Sequence, residues 1–299
     1  QLALLNWNQF LLYPAGVPPD SIGFAADLAI PPLWRFATAL AAASPAMARD
    51  SLSCAFAPVS LTRLVDSPVL MGRYVRRIEL NPGQSPPVTL AMAADSRAAL
   101  EVPAGRRTAF RALVGEAHGV FGARHYSRYL FLLSLSDHVA PLGLEHHECT
   151  DIRDRERSLI DPALALAIAD VYAHEYAHSW NGKYRRPGGL ATPDYQQPMT
   201  TELLWAYEGL THYLGYVLAA RSGFTTAEQY REALAIDAAD LETGRGRDWR
   251  PLVDTAVEAQ LLYSAPKAGT AWRRGVDFYA EGSLAWLEAD AVMREKSGG

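Results

Sequence analysis

The stretch from Asp161-Pro162 to Gly182 constrains this chain more than any other. Asp161 suits a helix N-cap, and Pro162 suits the first helical position, where a missing N–H costs nothing. Leu164, Ile168 and Val171 form the apolar face, and Gly182 is a stop signal. The stretch predicts one long helix that must bury a face against a core. His174-Glu175-Tyr176-Ala177-His178 lies near its centre. Residues i and i+4 share a helix face, so both imidazoles can bind one metal ion. Glu175 can reach a water on that ion without being a ligand itself. The competing reading is a helix with two semi-buried polar histidines. The cap, the lack of internal proline and the apolar side weigh against it.

A zinc site needs a third protein ligand and an open position for water. A second helix is predicted from about Glu202 to Arg221, stopping at Ser222-Gly223. Within Trp205-Ala206-Tyr207-Glu208-Gly209-Leu210-Thr211-His212, Glu208 stands among apolar neighbours. A carboxylate is costly there unless paired or bound to metal. Glu202 is the competing carboxylate, in a first turn where acidic residues occur for dipole reasons. Glu208 on a solvated face is the other alternative. His212, one turn beyond Glu208, is a candidate to hold a ligand in place.

The rest of the chain reads as strands first and helices later, an α+β arrangement. The first hundred residues are broken by Val17-Pro18-Pro19-Asp20, Ile30-Pro31-Pro32 and Asn81-Pro82-Gly83. Tyr74–Leu80 alternates in polarity and predicts a strand; Tyr129–Leu135, an apolar run but for Ser134, predicts a buried one. A short helix is predicted near Leu33–Ala43, within an Ala-rich stretch from Ala37 to Ala48 that Pro45 breaks. A third helix starts at the capping box Thr225-Thr226-Ala227-Glu228 and ends near Gly244; the last covers about Glu281–Lys296. Arg153-Asp154-Arg155-Glu156-Arg157 alternates in sign and reads as a solvated segment.

The chain has 299 residues, of which 49% are hydrophobic and 20% charged, a globular composition. A net charge of −5 removes the basic surplus that nucleic-acid binders carry. No apolar run is long enough to span a membrane. Cys54 and Cys149 rule out a disulfide scaffold, and Cys149 has no activating partner in sequence. His118, His125, His138 and His147 read as structural or surface residues. Lysine is confined to Lys183, Lys267 and Lys296 amid abundant arginine and alanine, which hints at a GC-rich bacterial genome.

The segments His174–Asn181 and Leu204–Thr211 resemble the glycyl aminopeptidase family of zinc metallopeptidases. That family belongs with the gluzincins, relatives of thermolysin and aminopeptidase N. Leu5-Asn6-Trp7-Asn8, Tyr13-Pro14-Ala15-Gly16 and Leu64-Val65-Asp66-Ser67-Pro68 are similar to further family segments. The resemblance implies zinc held by His174, His178 and Glu208, with Glu175 as general base and acid. Gly143-Leu144-Glu145-His146 resembles the family's Gly-Leu-Glu-His element and implies that Glu145, with Gly143, binds the substrate α-amine. A free ammonium paired with a fixed anion is what an exopeptidase needs. Phe278-Tyr279-Ala280-Glu281-Gly282 is similar to the Tyr-x-Lys-Gly element of aminopeptidase N relatives, with Glu281 at the lysine position. It implies that Tyr279 stabilises the oxyanion; Tyr263 is a lesser candidate for the site wall.

The resemblance thus implies a zinc aminopeptidase acting on peptides with a free N-terminus and preferring glycine and alanine. A zinc endopeptidase and a catalytically silent peptide- or partner-binding relative are the alternatives. Residues 1–107 are expected to be part of an N-terminal β-rich domain, and 108–299 a thermolysin-like catalytic domain. Family members carry a further N-terminal β region and a PDZ-like domain, so the chain is expected to be a fragment lacking both.

Overall fold

The structure, a computed structural model, describes residues 1–43, 53–266 and 268–298. Pro45, Ala48 and Lys267 lie outside the described residues. The fold is α+β, with strands toward the N-terminus and helices toward the C-terminus. The chain divides into two compact units, Gln1–Val171 and Tyr172–Gly299.

The first unit opens with short strands: β1 (Leu2–Leu5), β2 (Gly23–Phe24), β3 (Asp27–Ala29), β4 (Arg35–Ala37), β5 (Ser53–Ala55) and β6 (Val59–Ser60). After the short helix α1 (Leu61–Val65) comes β7 (Val69–Gly72). β1, β7 and β4 form one antiparallel sheet; β2 pairs with β6, and β3 with β5. The helix expected near Leu33–Ala43 is absent. Its centre is β4, with Phe36 opposite Met71 and Ala37 opposite Leu70. Helix propensity differences are at most about 1 kcal/mol per ordinary residue. Strand pairing and burial of Ala37 and Ala39 beside Leu70 outweigh them.

A five-stranded sheet follows, built from β8 (Tyr74–Glu79), β9 (Val88–Ala94), β10 (Tyr129–Leu135), β11 (Leu142–Glu145) and β12 (Cys149–Asp154). Its order is β11-β12-β10-β9-β8, with β9, β10 and β12 parallel and the edge strands antiparallel. Every residue of β10 is buried, Ser134 included, as in a strand covered on both faces. The parallel step from β9 to β10 needs a crossover, supplied by α2 (Ala104–Phe121). This helix was not foreseen. It ends at Gly122, in the left-handed region at φ 70, and packs Phe110 edge-on against Phe131.

β11 carries Gly143 and Glu145, opposite Ile152 and Thr150 of β12. Asp66, at the end of α1, grips the turn between these strands. Its Oδ2 accepts from the His147 amide at 2.7 Å, and its Oδ1 lies 3.1 Å from His146 Nδ1. The neighbouring Glu148 accepts from the Ser127 amide and hydroxyl, both at 2.9 Å, and from Arg63. Burial works to raise the Glu148 carboxyl, but these donors outweigh it and hold it below its ordinary value. The Arg153–Arg157 run begins inside β12 rather than in a solvated loop. Arg153 forks onto the fully buried Asp151, because a buried carboxylate needs charged partners.

Asp161 caps as expected: its Oδ1 accepts from the amides of Ala163 and Leu164 at 2.9 and 3.2 Å. The single long helix does not form. α3 (Pro162–Ala167) and α4 (Val171–Ala177) are separated by turns at 168–170. There Ala169 and Val171 bond to the carbonyls three residues back, tightening the coil. α4 also ends five residues before Gly182.

In the second unit, a π-helical turn at Trp205–Gly209 leads into α5 (Leu210–Ser222), which stops at Gly223 with φ 82. Glu202 lies before this turn and is exposed. α6 (Ala227–Thr243) is capped one residue later than predicted. Thr226 Oγ1 accepts from the Gln229 amide at 3.1 Å, and Gln229 Oε1 from the Thr226 amide at 2.9 Å. Three short helices, α7 (Leu252–Val257), α8 (Ala259–Ser264) and α9 (Thr270–Arg273), precede α10 (Ala280–Ser297). None of the three was anticipated.

Candidate metal centre

α4 supplies His174, and His178 follows on the turn just beyond it, where its amide still bonds to the His174 carbonyl at 3.1 Å. The two Nε2 atoms are 3.0 Å apart. Glu208 projects from the π turn, its Oε2 3.1 Å from His178 Nε2 and 3.3 Å from His174 Nε2. The histidines are buried, and the Glu208 side chain is only 12% exposed. Zinc bonds of about 2.0–2.1 Å to N and O donors in a tetrahedron put neighbouring ligand atoms about 3.3 Å apart. The observed triangle is close to that size, so the three side chains fit a zinc ion. Burial pulls the His174 imidazole below its ordinary value against the opposing pull of Glu208. A metal requires the neutral form of the ring. Burial works to raise the Glu208 carboxyl, but the two histidines outweigh it and keep it ionised.

The surroundings fix these groups. His178 Nδ1 donates to the Asn181 carbonyl at 3.0 Å, leaving the Nε2 lone pair for the site. The Asn181 side-chain amide donates to the Tyr207 carbonyl at 3.0 Å and to Thr211 Oγ1 at 2.9 Å. Thr211 in turn donates to the same Tyr207 carbonyl at 2.8 Å. The Tyr207 carbonyl of the π turn thus accepts from Asn181 and Thr211 in addition to the Leu210 amide. The Tyr207 ring stacks on His178 with centroids 4.6 Å apart. Sequence reasoning gave Asn181 and Thr211 no role, although both lie within the two segments that carry the family resemblance.

Glycines let the backbones close around the centre. A Cβ on Gly215 of α5 would come within 3.1 Å of His174 Cβ. A Cβ on Gly209 would lie 2.7 Å from Gly282 Cα, and one on Gly282 would lie 2.9 Å from Gly209 Cα. The latter pair joins the Glu208 turn to the start of α10, and so brings in Tyr279.

Glu175 is buried beside the histidines on α4. The Tyr279 ring lies 6.0 Å from the His174 ring and 5.9 Å from that of His212. Burial first, then the Glu208 charge, drives the Tyr279 hydroxyl far above the ordinary phenol value, so it remains a proton donor. His212 packs its ring 5.9 Å from that of His174, while its Nε2 faces Asp237 at 3.8 Å. Glu281, at the position where aminopeptidase N relatives carry lysine, is taken up by Arg274 and by Arg247 at 3.3 Å. A cavity of about 770 Å³ adjoins the centre, with His212, Tyr263, Tyr279 and Asp237 on its wall. Gly143 and Glu145 belong to the first unit, on β11.

The sequence profile of the M61 glycyl aminopeptidase family matches residues 167–285, and that of the M61 peptidase N-terminal domain matches residues 1–73. No curated protein sequence matches the chain. Among solved structures, an aminopeptidase N family protein from Idiomarina loihiensis is similar, with TM-score 0.82, 23% identity, and coverage of 99% of this chain and 50% of that one. An M1 zinc metallopeptidase from Deinococcus radiodurans is similar with TM-score 0.51 and 18% identity, covering 96% of this chain and 57% of that one. The chain thus spans about half the length of these proteins, and the likeness to them is one of fold. With both sequence profiles matched and the metallopeptidase fold in place, the chain belongs to the M61 glycyl aminopeptidase family.

Proposed function

We propose that this chain is the catalytic part of a zinc aminopeptidase that removes small residues, glycine and alanine, from the N-terminus of peptides. One observation carries the reading: two buried imidazole nitrogens and the Glu208 carboxylate converge within 3.3 Å, with Glu175 adjacent on the same helix. His174, His178 and Glu208 would hold the metal. A zinc ion there would supply Lewis-acid polarisation of the scissile carbonyl and a water acidic enough to be used at neutral pH. Glu175 takes a proton from the attacking water and passes it to the leaving amine. Tyr279 donates to the oxyanion that develops on the former carbonyl oxygen. Glu145, with Gly143 beside it on β11, pairs with the substrate ammonium and fixes which bond is cut. His212 packs against His174 and steadies its ring. Residues 108–299 act as the catalytic domain and 1–107 as part of the N-terminal β domain.

The test is metal content by elemental analysis, with hydrolysis of glycyl- and alanyl-anilides before and after chelation. Stoichiometric zinc, loss of activity on chelation, and loss in Glu175→Gln are expected. Activity indifferent to both chelator and Glu175→Gln sinks the proposal.

A further inference from the structure

The Tyr279 and Tyr263 hydroxyl oxygens are 2.5 Å apart. A phenol has one proton to give, so only one of the two donates in this bond. The direction decides what Tyr279 can do. If Tyr279 donates, its proton is spent on Tyr263 and none faces the metal centre. If Tyr263 donates, the Tyr279 proton is left for the centre.

Three features choose the second arrangement. The Tyr279 ring packs 6.0 Å from the His174 ring, on the metal-centre side, and an oxyanion formed there is a stronger acceptor than the neutral Tyr263 oxygen, so it draws the Tyr279 proton. Tyr263 is 58% exposed, so water can satisfy its remaining lone pairs, whereas Tyr279 is half-buried. The Tyr263 ring is also seated, edge-on at 6.2 Å, against the fully buried Phe278, the residue preceding Tyr279. The two hydroxyls are thus brought together from α8 and from the start of α10, on the wall of one cavity.

We infer that Tyr263 is a positioning residue whose hydroxyl donates to Tyr279, aiming the Tyr279 proton at the developing oxyanion and strengthening it as a donor. Accepting one hydrogen bond polarises a hydroxyl and improves the bond it gives. This rests on the proposed peptidase reading for the identity of the oxyanion, but not for the bond between the two tyrosines. Tyr263 touches no reacting atom; its effect passes through Tyr279.

A double-variant cycle on the full chain tests it. In the zinc-loaded enzyme, Tyr263→Phe is expected to lower kcat on alanyl-anilide by about tenfold with KM nearly unchanged. Tyr279→Phe is expected to lower kcat by about a hundredfold or more. The double variant should match Tyr279→Phe alone, because Tyr263 has nothing left to act through. Tyr263→Phe should also weaken a phosphinic dipeptide analogue, which carries the tetrahedral oxyanion, while leaving the affinity for free alanine unchanged. Losses that multiply in the double variant, or equal losses for analogue and alanine, overturn the inference. A readout without metal separates it from the peptidase reading. In chelator-stripped protein, the fall in unfolding midpoint from Tyr263→Phe should vanish in the Tyr279→Phe background. Additive midpoint shifts overturn the bond itself, whatever the enzyme assays give. Chelator-indifferent hydrolysis by the wild type defeats only the peptidase reading.

Discussion

The side-chain amide of Asn181 donates to the Tyr207 carbonyl across 3.0 Å, while the Asn181 backbone carbonyl accepts from His178 Nδ1 at the same distance. One residue thereby orients a histidine from the α4 side and fixes the turn that presents Glu208. Removing its side chain frees the turn without touching any of the three candidate ligands. Asn181→Ala is expected to weaken zinc binding by about tenfold, the usual effect of losing a group that orients ligands. Competition with a chromophoric chelator measures it, and an unchanged zinc affinity would mean that the π turn holds Glu208 unaided.

A Cβ on Gly215 would crowd His174, at 3.1 Å from its Cβ. Alanine in a helix normally gains about 1 kcal/mol over glycine, so Gly215→Ala sets helix propensity against crowding. Valine removes that ambiguity. Gly215→Val is expected to cost about 1–3 kcal/mol of stability and to lower zinc occupancy as His174 is pushed aside. Thermal unfolding and metal analysis on the same sample check both. A variant as stable and as zinc-loaded as the wild type would show that α4 and α5 can part without cost.

Glu148 links pH to the stability of the first unit. Its carboxyl is held below the ordinary value of 4.5 in the fold. The sign follows from this depression: the stabilisation is complete above the unfolded value and is lost as pH falls through the folded one. Acidification below about pH 4.5 should therefore weaken the fold. Glu148→Gln should be less stable at neutral pH but show a shallower decline in acid. Denaturant unfolding at a series of pH values distinguishes the two proteins, and parallel curves would count against this linkage.

Glu145 separates an exopeptidase from an endopeptidase. Glu145→Ala is expected to raise KM for free-amine substrates and lower kcat with it, because both binding and placement of the scissile bond depend on the ammonium contact. Wild-type protein that cuts N-blocked peptides, with Glu145→Ala retaining that cleavage, would favour an endopeptidase.

Local chemistry made several elements readable. Predominantly apolar character gives β10, Asp161 caps where its side chain predicts, and Gly223 ends α5. Where the outcome depended on distant partners, local reading failed. Leu33–Ala43 has helix-forming composition, yet β7 recruits Arg35–Ala37 into a sheet. The break at 168–170 and the π turn at Trp205–Gly209 leave no composition signature. α2 was missed because its first turns are rich in arginine and glycine, which mask the face formed by Phe110, Leu113 and Val114. At the site, residue type and spacing pointed to His174, His178 and Glu208, which the fold brings within 3.3 Å. The tie from Asn181 to Tyr207 was illegible because it runs from a side chain to a backbone atom, and backbone atoms are the same in every sequence.

The mutual approach of Gly209 and Gly282 makes the centre intolerant of substitution at either position. Where two helices meet through side chains, a substitution on one can be answered by trimming the other. Here each partner is already the smallest residue, so nothing remains to trim, and a change at either position has no second-site remedy. The distance from the Glu208 turn to the Tyr279 helix is thus a fixed dimension of the chain, set by bare backbone.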